Sequence, residues 1–82
     1  MVYEMEVKNE ARGQLRALPG EIRRQIGYRL HLLQQDFSGD VKKLKRSKNE
    51  YRLRVGSYRV LFELEGSRIV VYTVGPRKDI YQ

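Results

Sequence analysis

Hydrophobic positions between residues 51 and 81 follow the alternation that is typical of β-strands. The segment YRLRVGSYRVLFELEGSRIVVYTVGPRKDIY contains three alternating stretches, separated by Gly56-Ser57 and Gly66-Ser67. Both pairs predict two-residue hairpin turns, because glycine readily adopts the positive φ that tight hairpins require. The turns then set the cross-strand pairs: Val55 with Tyr58, Arg54 with Arg59, Leu53 with Val60, Leu64 with Ile69, Phe62 with Val71, and Val60 with Thr73.

This pairing gives the predicted sheet two different faces, because successive side chains of a strand point to opposite sides. The first face is almost entirely apolar and carries Leu53, Val55, Tyr58, Val60, Phe62, Leu64, Ile69 and Val71. The second face begins with Arg52, Arg54 and Arg59. The apolar face therefore needs a cover, and the second face is basic at one end.

The first half of the chain predicts a strand and a helical hairpin. Residues 2–7 alternate as a half-buried strand does. Ala11, Leu15 and Leu18 have helical spacing, with Asn9 as the expected cap and Pro19-Gly20 as the end. A second helix is expected from about Glu21 to Ser38-Gly39-Asp40, with an apolar stripe formed by Ile22, Ile26, Leu30, Leu33 and Phe37. His31 lies beside this stripe, so we expect a partly exposed residue without a catalytic role.

The helical hairpin and the apolar face of the sheet each need a partner, and packing one on the other satisfies both. The predicted fold class is α+β, with the order β-α-α-β-β-β and the helical hairpin on one face of a mainly antiparallel sheet. The 82 residues are expected to form one domain, residues 1–82, with one modest core.

Composition restricts the possible partners and chemistry. The net charge of +7 and the pI near 10.0 point to a polyanion such as nucleic acid, a ribosome or an acidic protein. The chain has no cysteine, which excludes disulfides, thiolate metal sites and cysteine nucleophiles and favours a reducing cytosol. With a single histidine we expect no metal and no cofactor. No apolar stretch is long enough to span a membrane.

Residues 42–48, KKLKRSK, concentrate five cations around Leu44. Two interpretations are equally open: a solvated loop or frayed strand, or a nucleic-acid contact that leads into the arginine-bearing strand. The candidate RNA- or ribosome-binding residues are Lys42, Lys43, Lys45, Arg46 and Lys48.

Arg54 directly opposite Arg59 should destabilise the hairpin by a few tenths to about 1 kcal/mol, because like charges at this separation repel. One interpretation is that both guanidinium groups turn into water, where salt screens them. The other is a phosphate site, since a planar guanidinium matches phosphate oxygens and Arg52 lies on the same face.

The segments YRLRVGSYRVLFEL and IVVYTVGPRKDIY closely resemble the C-terminal half of RelE-type toxins of bacterial and archaeal toxin–antitoxin systems. The element order is similar to the RelE/ParE fold. The resemblance implies a cytoplasmic, metal-independent endoribonuclease that cleaves mRNA in the ribosomal A site. It also implies a cognate antitoxin as partner, together with the ribosome and mRNA, and contact with operator DNA only through the antitoxin complex.

The resemblance also implies the catalytic residues. The family's paired basic residues fall on Arg52 and Arg54, and its next-strand arginine falls on Arg59. Its later arginine and tyrosine fall on Arg77 and Tyr81. Many relatives carry lysines at the first two positions, and a histidine or lysine where Pro76 stands here. Two alternatives therefore remain open: a ParE-like inhibitor of DNA gyrase, or a non-cleaving member that acts only by binding.

Strict alternation would place Leu61, Val70, Tyr72 and Val74 on the second face, next to the arginines. This apolar patch suits an acidic, amphipathic antitoxin that buries the patch and neutralises the cations. In the alternative interpretation, neighbours of the first strand, or Ile80 and Tyr81, fold over the patch.

Overall fold

The computed structural model describes residues 2–45 and 48–80. Its strands are β1 (Glu4–Val7), β2 (Asp40–Lys43), β3 (Glu50–Val55), β4 (Tyr58–Glu65) and β5 (Arg68–Pro76), and its helices are α1 (Asn9–Ala17), α2 (Gly20–Asp36) and α3 (Arg77–Ile80). The strands form one sheet in the order β1-β5-β4-β3-β2. Strand β1 is parallel to β5, and the other neighbours are antiparallel.

The predicted α+β class is confirmed, with two additions. Strand β2 pairs with β3, Asp40 opposite Arg54 and Lys43 opposite Tyr51, so the lysine-rich segment begins inside the sheet. Lysines are common on edge strands because their charge discourages pairing with other chains. The second addition is the short helix α3, which follows β5 directly.

The helices begin and end close to the expected residues, but the predicted cap of α1 is wrong. Asn9 is the first helical residue, and Lys8 occupies the cap position without a side-chain cap hydrogen bond. Helix α1 stops before Pro19, whose extended backbone then leads into α2. His31 is exposed, in line with its place beside the apolar stripe.

The two long helices cover the apolar face of the sheet and enclose the core. The buried members of this core are Ala11, Ile26, Leu30, Leu33, Leu53, Val55, Val60, Phe62, Ile69, Val71 and Val74. Half-buried residues of the predicted faces, including Leu15, Ile22 and Leu64, pack around them. Helix α1 is further fixed to β5 because the side-chain oxygen of Gln14 accepts a hydrogen bond of 2.7 Å from the Val74 amide.

Phe37 ends helix α2 in the left-handed conformation, with φ of 61°, which is uncommon for a residue other than glycine. Its amide donates to the Leu33 carbonyl, and its ring lies 5.4 to 5.8 Å from the rings of Tyr3, Tyr51 and Phe62. These ring contacts offset the conformational cost of the left-handed turn, and they fix the chain as it enters β2.

The β3–β4 hairpin has the predicted register throughout, and the β4–β5 hairpin has it as far as Phe62 opposite Val71. The register then shifts, so Val60 lies opposite Val74 and not opposite Thr73. Tyr72 is the extra residue of this bulge. The side chains of β5 that follow Tyr72 therefore point to the opposite face from the one that strict alternation predicts. The predicted placement of Val74 on the second face is therefore wrong, because the bulge turns its side chain into the core.

Candidate nucleic-acid interface

The basic end of the second face is built from β2 and β3. Arg54 and Arg52 alternate along β3 and face Asp40 and Lys42 of β2. The Arg54 Nε lies 2.6 Å from an Asp40 carboxylate oxygen, and an Arg52 Nη lies 4.0 Å from the other. Asp40 thus places one negative charge among the cations. Sequence reasoning missed this carboxylate because it assigned Asp40 to the loop that ends the second helix.

Arg59 lies opposite Arg54 as predicted, but its side chain is only 5% exposed. Its Nη1 donates hydrogen bonds of 3.0 and 2.9 Å to the carbonyl oxygens of Gly56 and Tyr58. The guanidinium therefore holds the β3–β4 turn on its own strand. The two interpretations of this pair, solvated guanidinium groups or a phosphate site, did not include these contacts, because they depend on where Asp40 and the turn carbonyls lie.

Arg77 reaches the same turn from a third element. Its backbone amide donates a 2.9 Å hydrogen bond to the Ser57 carbonyl, which fixes the start of α3 against the turn. Beside this contact lies an open depression of about 560 Å³, lined by Ser57, Tyr58, Pro76, Arg77 and Lys78. Both cations of α3 are exposed at this depression.

The structure therefore brings four of the five predicted arginine and tyrosine positions to one end of the sheet. Arg54, Arg59 and Arg77 all lie beside the turn at Gly56-Ser57, and Arg52 lies two residues before Arg54 on β3. Tyr81 lies outside the described residues. Guanidinium groups concentrated on rigid strands are well suited to bind phosphates, because they keep their charge and their planar geometry.

The predicted lysines extend this basic surface unevenly. Lys42 lies opposite Arg52 and shares its face, whereas Lys43 lies opposite Tyr51 and shares the other face. Lys45 and Lys48 are exposed after the end of β2. Arg46 lies outside the described residues. Of the lysines, Lys42 is thus the one that the strand register adds directly to the arginines.

Comparison with known proteins identifies the family. The family model for the ParE toxin of the type II toxin–antitoxin system parDE matches residues 5–81. The chain is also 39% identical over 72 residues to Toxin RelE3 of Methanocaldococcus jannaschii, a match that covers 82% of each protein. The chain belongs to the RelE/ParE toxin superfamily.

Solved structures of this superfamily share the fold. The toxin in the RelB-RelE complex from Methanococcus jannaschii matches with a TM-score of 0.81 at 33% identity, over 94% of this chain and 95% of that one. The RelE-RelB complex from Pyrococcus horikoshii OT3 matches with a TM-score of 0.77 at 25% identity, over 94% and 97%. A mutant of E. coli RelE in the free state matches with a TM-score of 0.84 over 98% and 88%. At 20% identity this last likeness supports the fold alone. Because the chain belongs to this superfamily, it is a toxin of a toxin–antitoxin system.

The apolar patch predicted for this RelE/ParE toxin is smaller than expected. Val74 belongs to the core, and Val70 is 3% exposed. Leu61 and Tyr72 are half-buried. The part of the patch that solvent reaches therefore consists mainly of Leu61 and Tyr72, and the role of all four residues in antitoxin binding stays a prediction.

Tyr72 also takes part in a polar contact that sequence reasoning missed. Its hydroxyl donates a 2.5 Å hydrogen bond to a carboxylate oxygen of Glu50 on β3. Burial raises the pKa of the Tyr72 hydroxyl well above its ordinary value, and the hydrogen bond to Glu50 and the charges of Glu50 and Glu63 raise it further. Because Glu50 lies opposite Glu63, the neutral phenol is the favoured neighbour for two carboxylates. The part of the second face that carries Glu50 and Glu63, next to Arg52, is therefore acidic.

Two further observations concern residues 2–45 and 48–80. No group of three or more histidine or acidic side chains in these ranges is arranged to hold a metal ion. No helix in these ranges combines the length and the apolar character needed to cross a membrane.

Proposed function

We propose that this toxin is a ribosome-dependent, metal-independent endoribonuclease that cleaves mRNA in the A site and thereby inhibits translation. The similarity to Toxin RelE3 over 82% of both chains supports the RelE type of activity within the superfamily. The proposal also rests on the chemistry of the basic end of the sheet.

The observation that carries the proposal is the arrangement of arginines around one turn. Arg52 and Arg54 project from the same face of β3, and Arg77 begins the helix that is hydrogen-bonded to Ser57. A phosphodiester placed across this end of the sheet would meet cations from two separate elements. A rigid frame of this kind supplies charge stabilisation without a reorganisation step at the moment of reaction.

The reaction that fits this site is attack by RNA on itself. The 2′-oxygen forms a bond to the adjacent phosphorus as the bond from phosphorus to the 5′-oxygen breaks. The products are a 2′,3′-cyclic phosphate and a 5′-hydroxyl end. The proton of the 2′-hydroxyl leaves to a base, and the departing 5′-oxygen takes up a proton. The toxin must align the chain and stabilise the negative charge that develops on the phosphate.

We assign these tasks to different residues. Arg52, Arg54 and Arg77 neutralise and orient the phosphates, and Asp40 orients the Arg54 guanidinium. Arg59 holds the turn, and its predicted direct role in charge stabilisation would require one of its donors to reach the phosphate as well. Arginine is a poor general base at neutral pH, so we assign proton transfer to groups that the ribosome contributes. Tyr81 is proposed to stack on a base or to orient the 2′-hydroxyl.

The proposed partners follow from the same assignment. The structures from Methanococcus jannaschii and Pyrococcus horikoshii are complexes of RelE with RelB, and we propose a cognate antitoxin for this toxin as well. Its expected docking surface includes Leu61 and Tyr72, next to the arginines. The exposed lysines Lys42, Lys43, Lys45 and Lys48 are proposed to contact ribosomal or messenger RNA through its phosphates. Contact with operator DNA is expected only within the antitoxin complex, and the cytoplasm is the proposed location.

The description of the matching family model, a ParE toxin, favours a second candidate function, inhibition of DNA gyrase. Induced expression in a bacterial host separates the two. Endoribonuclease activity predicts rapid arrest of protein synthesis with cut transcripts and unchanged plasmid supercoiling. Altered supercoiling and a DNA damage response, with intact transcripts, would support the ParE-like function. Neither effect at full expression would indicate a member that acts by binding alone.

A further inference from the structure

Tyr58 lies beside the basic end of the sheet, although it was not among the predicted site residues. It is the first residue of β4, opposite Val55 and Pro76. Tyr58 is half-buried: it packs against the core and is also one of the residues that line the open depression, with Arg77 and Lys78. An aromatic residue and two cationic residues therefore line one depression, together with Ser57 and Pro76.

The backbone around Tyr58 is held from two sides. The Arg59 guanidinium donates to the carbonyl oxygens of Gly56 and Tyr58, and the Arg77 amide donates to the carbonyl of Ser57. All three carbonyls of residues 56–58 are thus engaged. The ring of Tyr58 consequently stands on a fixed support, which lowers the entropy cost of placing a ligand against it.

The chemistry of the depression matches one class of ligand. Unpaired bases of RNA stack on aromatic side chains, and Arg and Lys bind the phosphates that join them. The volume of about 560 Å³ lies within the usual range of small-molecule sites. From these features we infer that Tyr58, Arg77 and Lys78 form a nucleotide subsite, in which one base of single-stranded RNA stacks on Tyr58 and its phosphate meets the two cations.

This inference rests on the proposed function for the identity of the RNA, and it places a base-binding residue beside Arg77, the member of the arginine site that also lines the depression. Placed on the wall of the depression, Tyr58 would hold the nucleotide next to the phosphate that Arg77 contacts. Removal of the ring should therefore weaken substrate binding and leave the folded state intact, because leucine preserves the apolar packing at this position.

Binding of a trinucleotide with 2′-deoxy sugars, which cannot be cleaved, tests the subsite without ribosomes. The full chain and the variants Tyr58→Phe and Tyr58→Leu are compared at low salt, with Tyr28→Leu as matched control. Tyr28 is 61% exposed on α2, outside the depression. We expect Tyr58→Phe and Tyr28→Leu to bind like the unaltered chain, and Tyr58→Leu to bind roughly 5- to 150-fold more weakly. Thermal unfolding confirms that each variant is folded.

A fluorescent reporter makes the test independent of the loss-of-binding variant. The chain contains no tryptophan, so Tyr58→Trp introduces a single indole at the subsite and Tyr28→Trp a single indole outside it. The trinucleotide should quench the first indole saturably and leave the second unchanged, and Lys78→Ala should weaken the quenching. Inorganic phosphate alone should not quench either indole.

The subsite is wrong if folded Tyr58→Leu binds the trinucleotide as tightly as the unaltered chain and the indole at position 58 is not quenched. It is also wrong if a polyglutamate peptide quenches that indole and the trinucleotide does not, since the depression would then fit an acidic protein segment. Failure of the proposed function gives a different result: ring-dependent trinucleotide binding persists while no ribosome-dependent cleavage is found.

Discussion

Arg54 and Arg59 lie directly opposite each other in the β3–β4 ladder, yet their guanidinium groups have separate partners. Arg54 lies 2.6 Å from the Asp40 carboxylate, and Arg59 donates to the carbonyl oxygens of Gly56 and Tyr58. The first contact is exposed, and the second is partly buried. Two arginines at matched positions of one hairpin therefore have different tasks, one at the surface and one inside the turn.

This difference predicts stability effects of different size for the same substitution. Arg59→Gln should lower the free energy of unfolding by about 2 kcal/mol, because hydrogen bonds from a charged donor to the turn are lost. In a domain of this size that corresponds to a fall in Tm of roughly 10 °C. Arg54→Gln should change stability by less than about 1 kcal/mol, since an exposed ion pair contributes little. Thermal unfolding of both variants checks this, and equal Tm values would contradict it.

The contact between Gln14 and Val74 predicts a second stability effect. Gln14→Ala removes the acceptor of the Val74 amide, which then stays buried without its partner at a cost of about 1 to 3 kcal/mol. Gln14→Glu keeps an acceptor oxygen at the same position and should lose less. Urea unfolding of the two variants measures the difference. The helix contact has no such role if Gln14→Ala unfolds at the same urea concentration as the unaltered chain.

The raised pKa of Tyr72 predicts a loss of stability in alkali. In the folded chain the Tyr72 hydroxyl keeps its proton above pH 10.0, the ordinary pKa of tyrosine. In the unfolded chain the hydroxyl loses its proton near that pH. Stability is therefore fully present below about pH 10 and falls as the pH rises above it. Tyr72→Phe should show a shallower decline between about pH 9 and about pH 11, and Tyr28→Phe should decline like the unaltered chain. Identical slopes for all three in urea unfolding would rule out this contribution.

The structure also sharpens the prediction for the antitoxin. Leu61→Glu places a negative charge on the half-buried patch and should weaken binding of an acidic antitoxin by about tenfold or more, while the toxin stays folded. Val74→Glu should instead prevent folding, because Val74 is 2% exposed in the core and an unpaired buried charge is costly. Titration calorimetry and circular dichroism separate the two effects. Full antitoxin affinity of folded Leu61→Glu would exclude this surface.

The parts of the fold that were predicted depend on local rules. Glycine at Gly56 and Gly66 adopts φ of 59° and 61°, as the two turns require, and these turns set the register from Val55 opposite Tyr58 onward. Helical spacing likewise identified the buried faces of α1 and α2. The family resemblance supplied Arg77, because no periodicity marks a residue that follows the last strand.

Other features depend on tertiary structure and could not be predicted from the pattern. The bulge at Tyr72 interrupts an alternation that continues in the sequence, so Val74 was assigned to the wrong face. Strand β2 forms because β3 provides a hydrogen-bonding partner for Asp40–Lys43. Without that partner, the lysine-rich sequence is equally typical of a solvated loop. The burial of Arg59 depends on where the turn carbonyls lie, which no residue pattern encodes.

The central claim, ribosome-dependent cleavage of mRNA at the arginine site, is tested most directly by mapping RNA ends after incubation of a purified toxin with mRNA. The unaltered chain, Arg54→Ala, Arg77→Ala and the exposed control Arg24→Ala are compared with and without ribosomes. We predict new 5′-hydroxyl ends in the A-site codon only when ribosomes are present. Arg77→Ala should cut roughly 100- to 1000-fold more slowly, Arg54→Ala should also cut more slowly, and Arg24→Ala should cut at the normal rate. The absence of new ends with ribosomes present, or unchanged cleavage by folded Arg54→Ala and Arg77→Ala, would contradict the account.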